Sequence, residues 1–507
     1  MTDAGTAIPA RDASSPRPGA VRLSEHTLAR GPRELLRPGY RISQTRIGTV
    51  HFGPGAFHRA HQAFYFDRLL ENDPARAICA VSLKTASLRD ALAPQDGLYT
   101  LVELDEAPTL RVIGAIRELL VAAESPAAVA ARLCDSQTSV VTMTVTEKGY
   151  CLGAGGALDF THPDIAHDLR RADAPRSLIG WLARGLELRR ERGLPPYLVV
   201  CCDNLSDNGP TLRRAVLAFA ERRDAGLAAW IGKAVLFPRT MVDSITPATD
   251  QALRERVSRA TGLVDAWPVQ RERFVQWVIE EVDFAAQPDW ASVGVTVSRD
   301  VTAYERAKLR LLNGAHSTLA YVGLLSGFQT VAEAMAQPVL RNLIERMMID
   351  DIEPTLAVPQ PGALAAYRES ILRRFENPAM RHLLAQIAWD GSQKLPIRVM
   401  GTISDALGTG RSITRLTVPI AAWMHFVRTR ARDGIEIVDP LAAELARVGR
   451  QLTGAAAHDL PLFLALPGVF PAALARESRF TQALSETYDS ITSRGALAEA
   501  GACSNER

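Results

Sequence analysis

The feature that most constrains this chain is a strand that runs without a spacer into a glycine turn and then a helix. Residues 46–52 (Arg-Ile-Gly-Thr-Val-His-Phe) have the β-branched, apolar character of a buried strand. Gly53-Pro-Gly55 follows, then Ala-Phe57-His58-Arg59-Ala-His-Gln, then the helical pattern of 63–70. Glycines between a strand and a helix let backbone N–H groups approach a pyrophosphate. Gly53, Gly55, Phe57, His58 and Arg59 are therefore the expected contacts of a dinucleotide. His58 stands where the GxGxxG fingerprint has its third glycine, so on this stretch alone a generic strand–helix turn stays open.

Further strands are expected at 77–83, 139–146, 196–202 and 234–237. Ligands of an open α/β sheet bind beyond the carboxyl ends of its strands, and Glu147, Asn204 and Asp243 stand at or just past such ends. Turn capping would explain any one of them; three together favour a cleft. No Asp or Glu follows 77–83 to hold a ribose 2′-hydroxyl. Lys84, Thr85 and Arg89 are there instead, so the expected cofactor is NAD with NADP left open.

Beyond Asp300 the strand signal fades. Helical character takes over at 304–325, 331–336, 339–350, 364–375, 380–389, 416–428 and 441–452. At 507 residues two domains are the natural expectation. A formal charge of +2 points to neither nucleic acid nor membrane as a partner. The six cysteines show no CxxC and no Cys/His ligand spacing, so reduced thiols and no metal are expected. The first twenty or so residues lack the apolar core of a signal peptide and read as a flexible tail.

Within 304–325 lies Lys308-Leu-Arg-Leu-Leu-Asn313-Gly-Ala-His316. At about 100° per residue, Asn313 lies about 140° from Lys308, with His316 between them at about 80°. All three can then face one cleft. A desolvated lysine is a competent general base, and an amide NH2 steadies an oxygen that gains negative charge. That set suits removal of a hydroxyl proton while hydride leaves the same carbon. An amphipathic helix with a snorkelling lysine fits the spacing equally.

Six blocks occur in order: HFGPGAFHRAHQAFYFDRLL, TVTEKGYC, CCDNLSDNG, FPRTMVDSITP, the Lys308–Asn313–His316 run and DGSQKLP. Together they resemble the long-chain mannitol dehydrogenase family of polyol and uronate dehydrogenases. The resemblance implies an α/β fold, with a Rossmann-type dinucleotide-binding N-terminal domain and a mostly α-helical C-terminal domain. The corresponding boundaries are 1–40 (tail and lead-in), 41–300 (dinucleotide-binding), 301–495 (substrate and catalysis) and 496–507 (C-terminal tail). It further implies metal-independent hydride transfer with NAD(P). Lys308 matches the family's base, Asn204 and Asn313 the pair on the reacting oxygen, and His316 the residue orienting substrate and base. Glu147 and Glu305 match carboxylates that pass the proton to solvent; Asp243 and Lys394 match positions in the substrate pocket.

Mannitol dehydrogenases carry an arginine eight residues before the lysine of the SxKxP block, where this chain has Gln386. Gln386, TVTEKGYC and the stretch 391–398 look more like the fructuronate reductase (mannonate oxidoreductase) branch. A uronate needs a cation for its carboxylate, which Lys394 or Arg398 would supply, although Arg398 also reads as a surface arginine. Asp265-Ala-Trp-Pro268, by contrast, looks like the mannitol branch, and Arg271-Glu-Arg-Phe274 departs from a Cys-Glu-Pro-Phe pattern common to both. Fructuronate/D-mannonate is the first expectation. Mannitol 2-dehydrogenase activity (D-mannitol/D-fructose) or another polyol pair is the alternative, and a non-catalytic dinucleotide-binding sensor the remote one. The expected setting is the cytoplasm, as a monomer or small homo-oligomer acting on a sugar alcohol or sugar acid.

Overall fold

The computed structural model describes residues 21–505 apart from Glu106, Ala154 and 358–361; the tail expected over 1–20 lies outside the described residues. The chain divides into two compact units between Ser298 and Arg299.

In the N-terminal unit, β1 (Ile47–Phe52), β2 (Ala77–Ser82), β3 (Ile116–Val121), β4 (Val140–Met143) and β5 (Leu198–Cys201) form an all-parallel sheet in the order β3–β2–β1–β4–β5. Val50, Phe52, Val81, Val141 and Met143 are fully buried, as a parallel sheet covered on both faces requires. The helices Leu178–Glu191 and Asn208–Arg223 pack their apolar faces on it. Strand order reverses at β1, so the crevice beyond the carboxyl ends of β1 and β4 is the topological switch point.

A second sheet joins β6 (Thr240–Asp243) antiparallel to β7 (Gln276–Glu280), which runs parallel to β8 (Thr296–Ser298). The strand expected at 234–237 is not there. The helix Ala225–Ala234 occupies its start, and the Leu236 carbonyl accepts from Val199 N–H of β5 at 3.1 Å without forming a strand. The lead-in is part of this unit: Val21–Arg22 pairs with Leu263–Val264, and Leu23 and Leu35 are buried.

The C-terminal unit is helical, and three of its turns are π-helical: Lys308–Asn313, Met347–Ile352 and Pro396–Met400. The first packs against both of the others. The helix expected at 380–389 shrinks to Leu384–Ile387. Of the stretch expected as a tail, the described residues form the helix Ala496–Asn505, with Ala500 and Cys503 in the core. All six cysteines are buried thiols, none joined in a disulfide. Among the described residues no helix is long and apolar enough to cross a membrane, and no cluster of His, Cys, Asp and Glu is arranged to hold a metal ion.

Candidate active site

The glycine turn ends β1 at the switch point. Gly53 has φ +82°, and a Cβ there would run into the carbonyl of Thr144 at the end of β4, so only glycine fits. Its carbonyl accepts from the Thr144 hydroxyl at 2.7 Å and Gly55 N–H at 2.7 Å, and lies 3.3 Å from His51 Nε2. Around Gly55 there is open space, so the backbone there is reachable. An exposed backbone with no side chain, at the switch point of a parallel sheet, fits the pyrophosphate of a dinucleotide.

Two of the expected contacts are corrected by burial. His58 is 0% exposed and its ring stacks on His51 with centroids 3.3 Å apart. Arg59 is 1% exposed, donates to the Trp267 carbonyl at 2.6 Å and lies over the Tyr99 and Trp267 rings. Side chains with no accessible surface support the turn from behind rather than touch a ligand. Phe57 remains half-buried. Lys84 reaches Asp164 at 3.3 Å, and Arg89 is shared by Asp90 and Glu124, so both cations considered for a 2′-phosphate already meet carboxylates.

The strand-end residues sit on loops of unusual backbone. Glu147 is exposed and opens a short 3₁₀ turn directly after Thr146, whose φ of +66° is costly for a β-branched residue. Asn204 is exposed on the loop that turns through left-handed Asp207. Asn208, at the end of that loop, was not among the candidates. Its amide NH2 donates to the Thr240 carbonyl (3.0 Å) and its oxygen accepts from Thr240 N–H (3.0 Å), tying the loop after β5 to the start of β6. Asp243 ends β6 opposite Gln276 and is 3% exposed. Arg271, the departure at 271–274, is a core residue paired with Glu103 and 4.4 Å above the Phe64 ring.

In the C-terminal unit Lys308 and Asn313 are the first and last residues of a π-turn, closed by Gly314 N–H to the Leu309 carbonyl. Closing i to i+5 stacks residues five apart, so the π-turn carries Asn313 back toward Lys308; α-helical arithmetic had separated them. Both are half-buried, as is Glu305 one turn earlier on Val301–Ala307. Arg310, within the turn, is buried and fixes it outward, donating to Thr355 Oγ1 at 2.7 Å and Asp405 Oδ2 at 2.5 Å.

His316 follows on Gly314–Leu325, buried with its ring 4.5 Å from Phe375 and 4.9 Å from His382. Burial, together with the field of His382, Arg398, Arg374 and Lys394, holds it well below the usual histidine range and therefore neutral. Lys394 reaches the Ile387 carbonyl at 3.4 Å and Asp390 at 3.9 Å; Arg398 donates to Ser317 Oγ at 3.3 Å. Burial lowers both cations, Arg398 to about 10. Gly391 precedes them because a Cβ there would strike the Tyr321 hydroxyl and the Trp423 indole. Gln386 is exposed on its four-residue helix.

Residues 47–292 match the mannitol dehydrogenase Rossmann domain, and residues 300–492 the mannitol dehydrogenase C-terminal domain. The D-mannonate oxidoreductase of Escherichia coli K12 is 39% identical over 471 residues, covering 91% of this chain and 96% of its own length. The mannitol 2-dehydrogenase of Aspergillus fumigatus is 37% identical over 488 residues, covering 94% and 96%. The solved ternary complex of Pseudomonas fluorescens mannitol 2-dehydrogenase with NAD and D-mannitol has a TM-score of 0.82 at 36% identity, covering 95% of this chain and 99% of that one. The chain belongs to the mannitol dehydrogenase family, whose oxidoreductases act on CH–OH groups.

Proposed function

We propose that the protein is an NAD-preferring oxidoreductase of a sugar acid, interconverting fructuronate and D-mannonate. The observation that carries this reading is the set of cations, Lys394, Arg398 and Arg374, gathered around the neutral imidazole of His316. Cations in a shared field, Lys394 and Arg398 half-buried and Arg374 buried, suit a substrate carboxylate better than an uncharged polyol. The relative named D-mannonate oxidoreductase is consistent with it. Mannitol/fructose is the second reading, favoured by the Asp265-Ala-Trp-Pro268 stretch and the Pseudomonas neighbour.

Lys308, neutral, takes the hydroxyl proton, and Asn313 with Asn204 donates hydrogen bonds to the oxygen as it becomes an alkoxide. His316 orients substrate and base, Asp243 lines the substrate position, and Glu147 and Glu305 pass the proton to solvent. Gly53, Gly55 and Phe57 hold the dinucleotide, whose nicotinamide supplies the hydride acceptor when bound. The carboxylate partners of Lys84 and Arg89 support NAD over NADP. NADH and NADPH oxidation is followed by absorbance against fructuronate and fructose, and the reverse reaction against mannonate, mannitol and arabinitol. Turnover fastest on the acids with NAD(H) is expected. Faster turnover of fructose or mannitol selects the second reading, and no turnover on any of them removes both.

A further inference from the structure

We propose that Asp203 is a positioning residue whose carboxylate sets the backbone carrying Glu147 on one loop and Asn204 on the other. The proposal rests on the roles given above to those two residues. Asp203 directly precedes Asn204, and its two oxygens reach across to the loop after β4. Oδ2 accepts from Val145 N–H at 2.8 Å and from the Tyr150 hydroxyl at 2.6 Å, while Oδ1 accepts from Thr146 N–H at 3.0 Å. Tyr150 is buried and also lies 2.8 Å from Cys201 Sγ on β5, so the far end of the loop is anchored in the sheet. On its own side, the Asp203 carbonyl accepts from Asn208 Nδ2 at 3.3 Å, the amide that bridges to Thr240. One residue thus ties the Glu147 loop, through its carboxylate, to the framework at β5 and β6, through its backbone carbonyl.

The tie works against a strained backbone. Thr146 has φ +66° and ψ 164°, a region that a β-branched residue occupies only at a cost. Three hydrogen bonds to one carboxylate hold the backbone against that strain. Without them Thr146 relaxes to negative φ, and the following residue, Glu147, swings with it. An asparagine does not replace the aspartate, because its NH2 would face one of the donors that now point at an oxygen. A glycine at 146 takes positive φ without penalty and needs less holding.

The test measures kcat, KM and the NADH dissociation constant for Asp203→Asn, Thr146→Gly and the double variant, with Asn204→Ala and Glu147→Gln alongside. A displacement of about 1 Å at a positioned group costs on the order of 100-fold, so Asp203→Asn should lower kcat at least about tenfold. KM and NADH affinity should stay within about threefold. Thr146→Gly alone should remain within about twofold of wild type and, in the Asp203→Asn background, restore at least about threefold of the lost kcat. Unchanged kcat in Asp203→Asn, or a loss that Thr146→Gly does not relieve, overturns the proposal. If Asn204→Ala and Glu147→Gln keep wild-type turnover, the roles beneath it fail and it falls with them. If those two lose activity while Asp203→Asn does not, only this inference is lost. Should Asp203→Asn not fold, Tyr150→Phe removes one of the three bonds. A fall in kcat of about threefold at unchanged NADH affinity then supports the tie, and no fall overturns it.

Discussion

The two units hold their candidate residues by opposite means. In the N-terminal unit Glu147 and Asn204 ride on loops at strand ends, and those loops pass through left-handed residues, Thr146 and Asp207, kept in place by side chain–backbone hydrogen bonds. In the C-terminal unit Lys308 and Asn313 ride on a continuous helical path whose pitch is widened for one turn. A loop site depends on single anchoring atoms, whereas a helical site depends on spacing along the chain. The first is vulnerable to losing one carboxylate or gaining one Cβ. The second is vulnerable to anything that lets the wide turn close up.

The largest effect should come from Lys308→Ala, which removes the proposed base from the widened turn. General-base loss costs about 10²–10⁴-fold in kcat, with NADH affinity nearly unchanged because the glycine turn is in the other unit; titration by fluorescence alongside turnover checks this. Substantial residual turnover would leave the π-turn as a packing feature and break the contrast. Next is Gly53→Ala, the loop counterpart. Positive φ and collision with the Thr144 carbonyl should weaken NADH binding at least about tenfold and destabilise the fold by about 1–3 kcal/mol, read by chemical denaturation.

Arg310→Lys sharpens the helical side. It keeps the charge but loses the fork that spans Thr355 and Asp405, and with Asp405 partly exposed the expected destabilisation is about 1–2 kcal/mol, with a several-fold fall in kcat. A stability loss with full activity would show that the turn stays wide without its anchor. Two buried histidines add a dependence on pH. Burial pushes His51 down to about 3 and His382 to about 4. A depressed native pKa contributes stability that is fully present above the unfolded value, near 6.5, and is lost as pH falls toward the native value. The stability advantage of wild type over His51→Gln should therefore shrink by about 1.4 kcal/mol per pH unit from pH 6.5 downward. The same comparison with His382→Gln should level off at a higher pH, near 4 rather than 3. Denaturation curves from about pH 7.5 to about 2.5 test both.

The parallel strands were legible because buried parallel strands are runs of Val, Ile and Phe that need no alternation to be seen, as in 46–52 and 196–202. Residues 234–237 misled because an apolar run directly after an alanine-rich helix has the same composition as a strand. The glycine turn was legible, but the burial of His58 and Arg59 was not, since which polar side chains turn inward is decided by tertiary packing. The π-turns left no trace either. One extra residue per turn does not alter helix propensity, and windowed periodicity averages it away, so the arithmetic placing Asn313 about 140° from Lys308 used the wrong pitch. Arg310 carried a weak signal, an arginine inside a leucine-rich run. Ala496–Asn505 has the alanines of a helix, but an alanine-rich segment at a chain end does not by itself show that it packs into the core.

All six native thiols lie beneath the surface in their folded setting. Maleimide dyes should therefore ignore them in native buffer, and any cysteine introduced on an exposed helix becomes a unique chemical handle without first building a cysteine-free background. One such handle on each unit would give a spectroscopic ruler for asking whether the distance between the two changes when nucleotide is added.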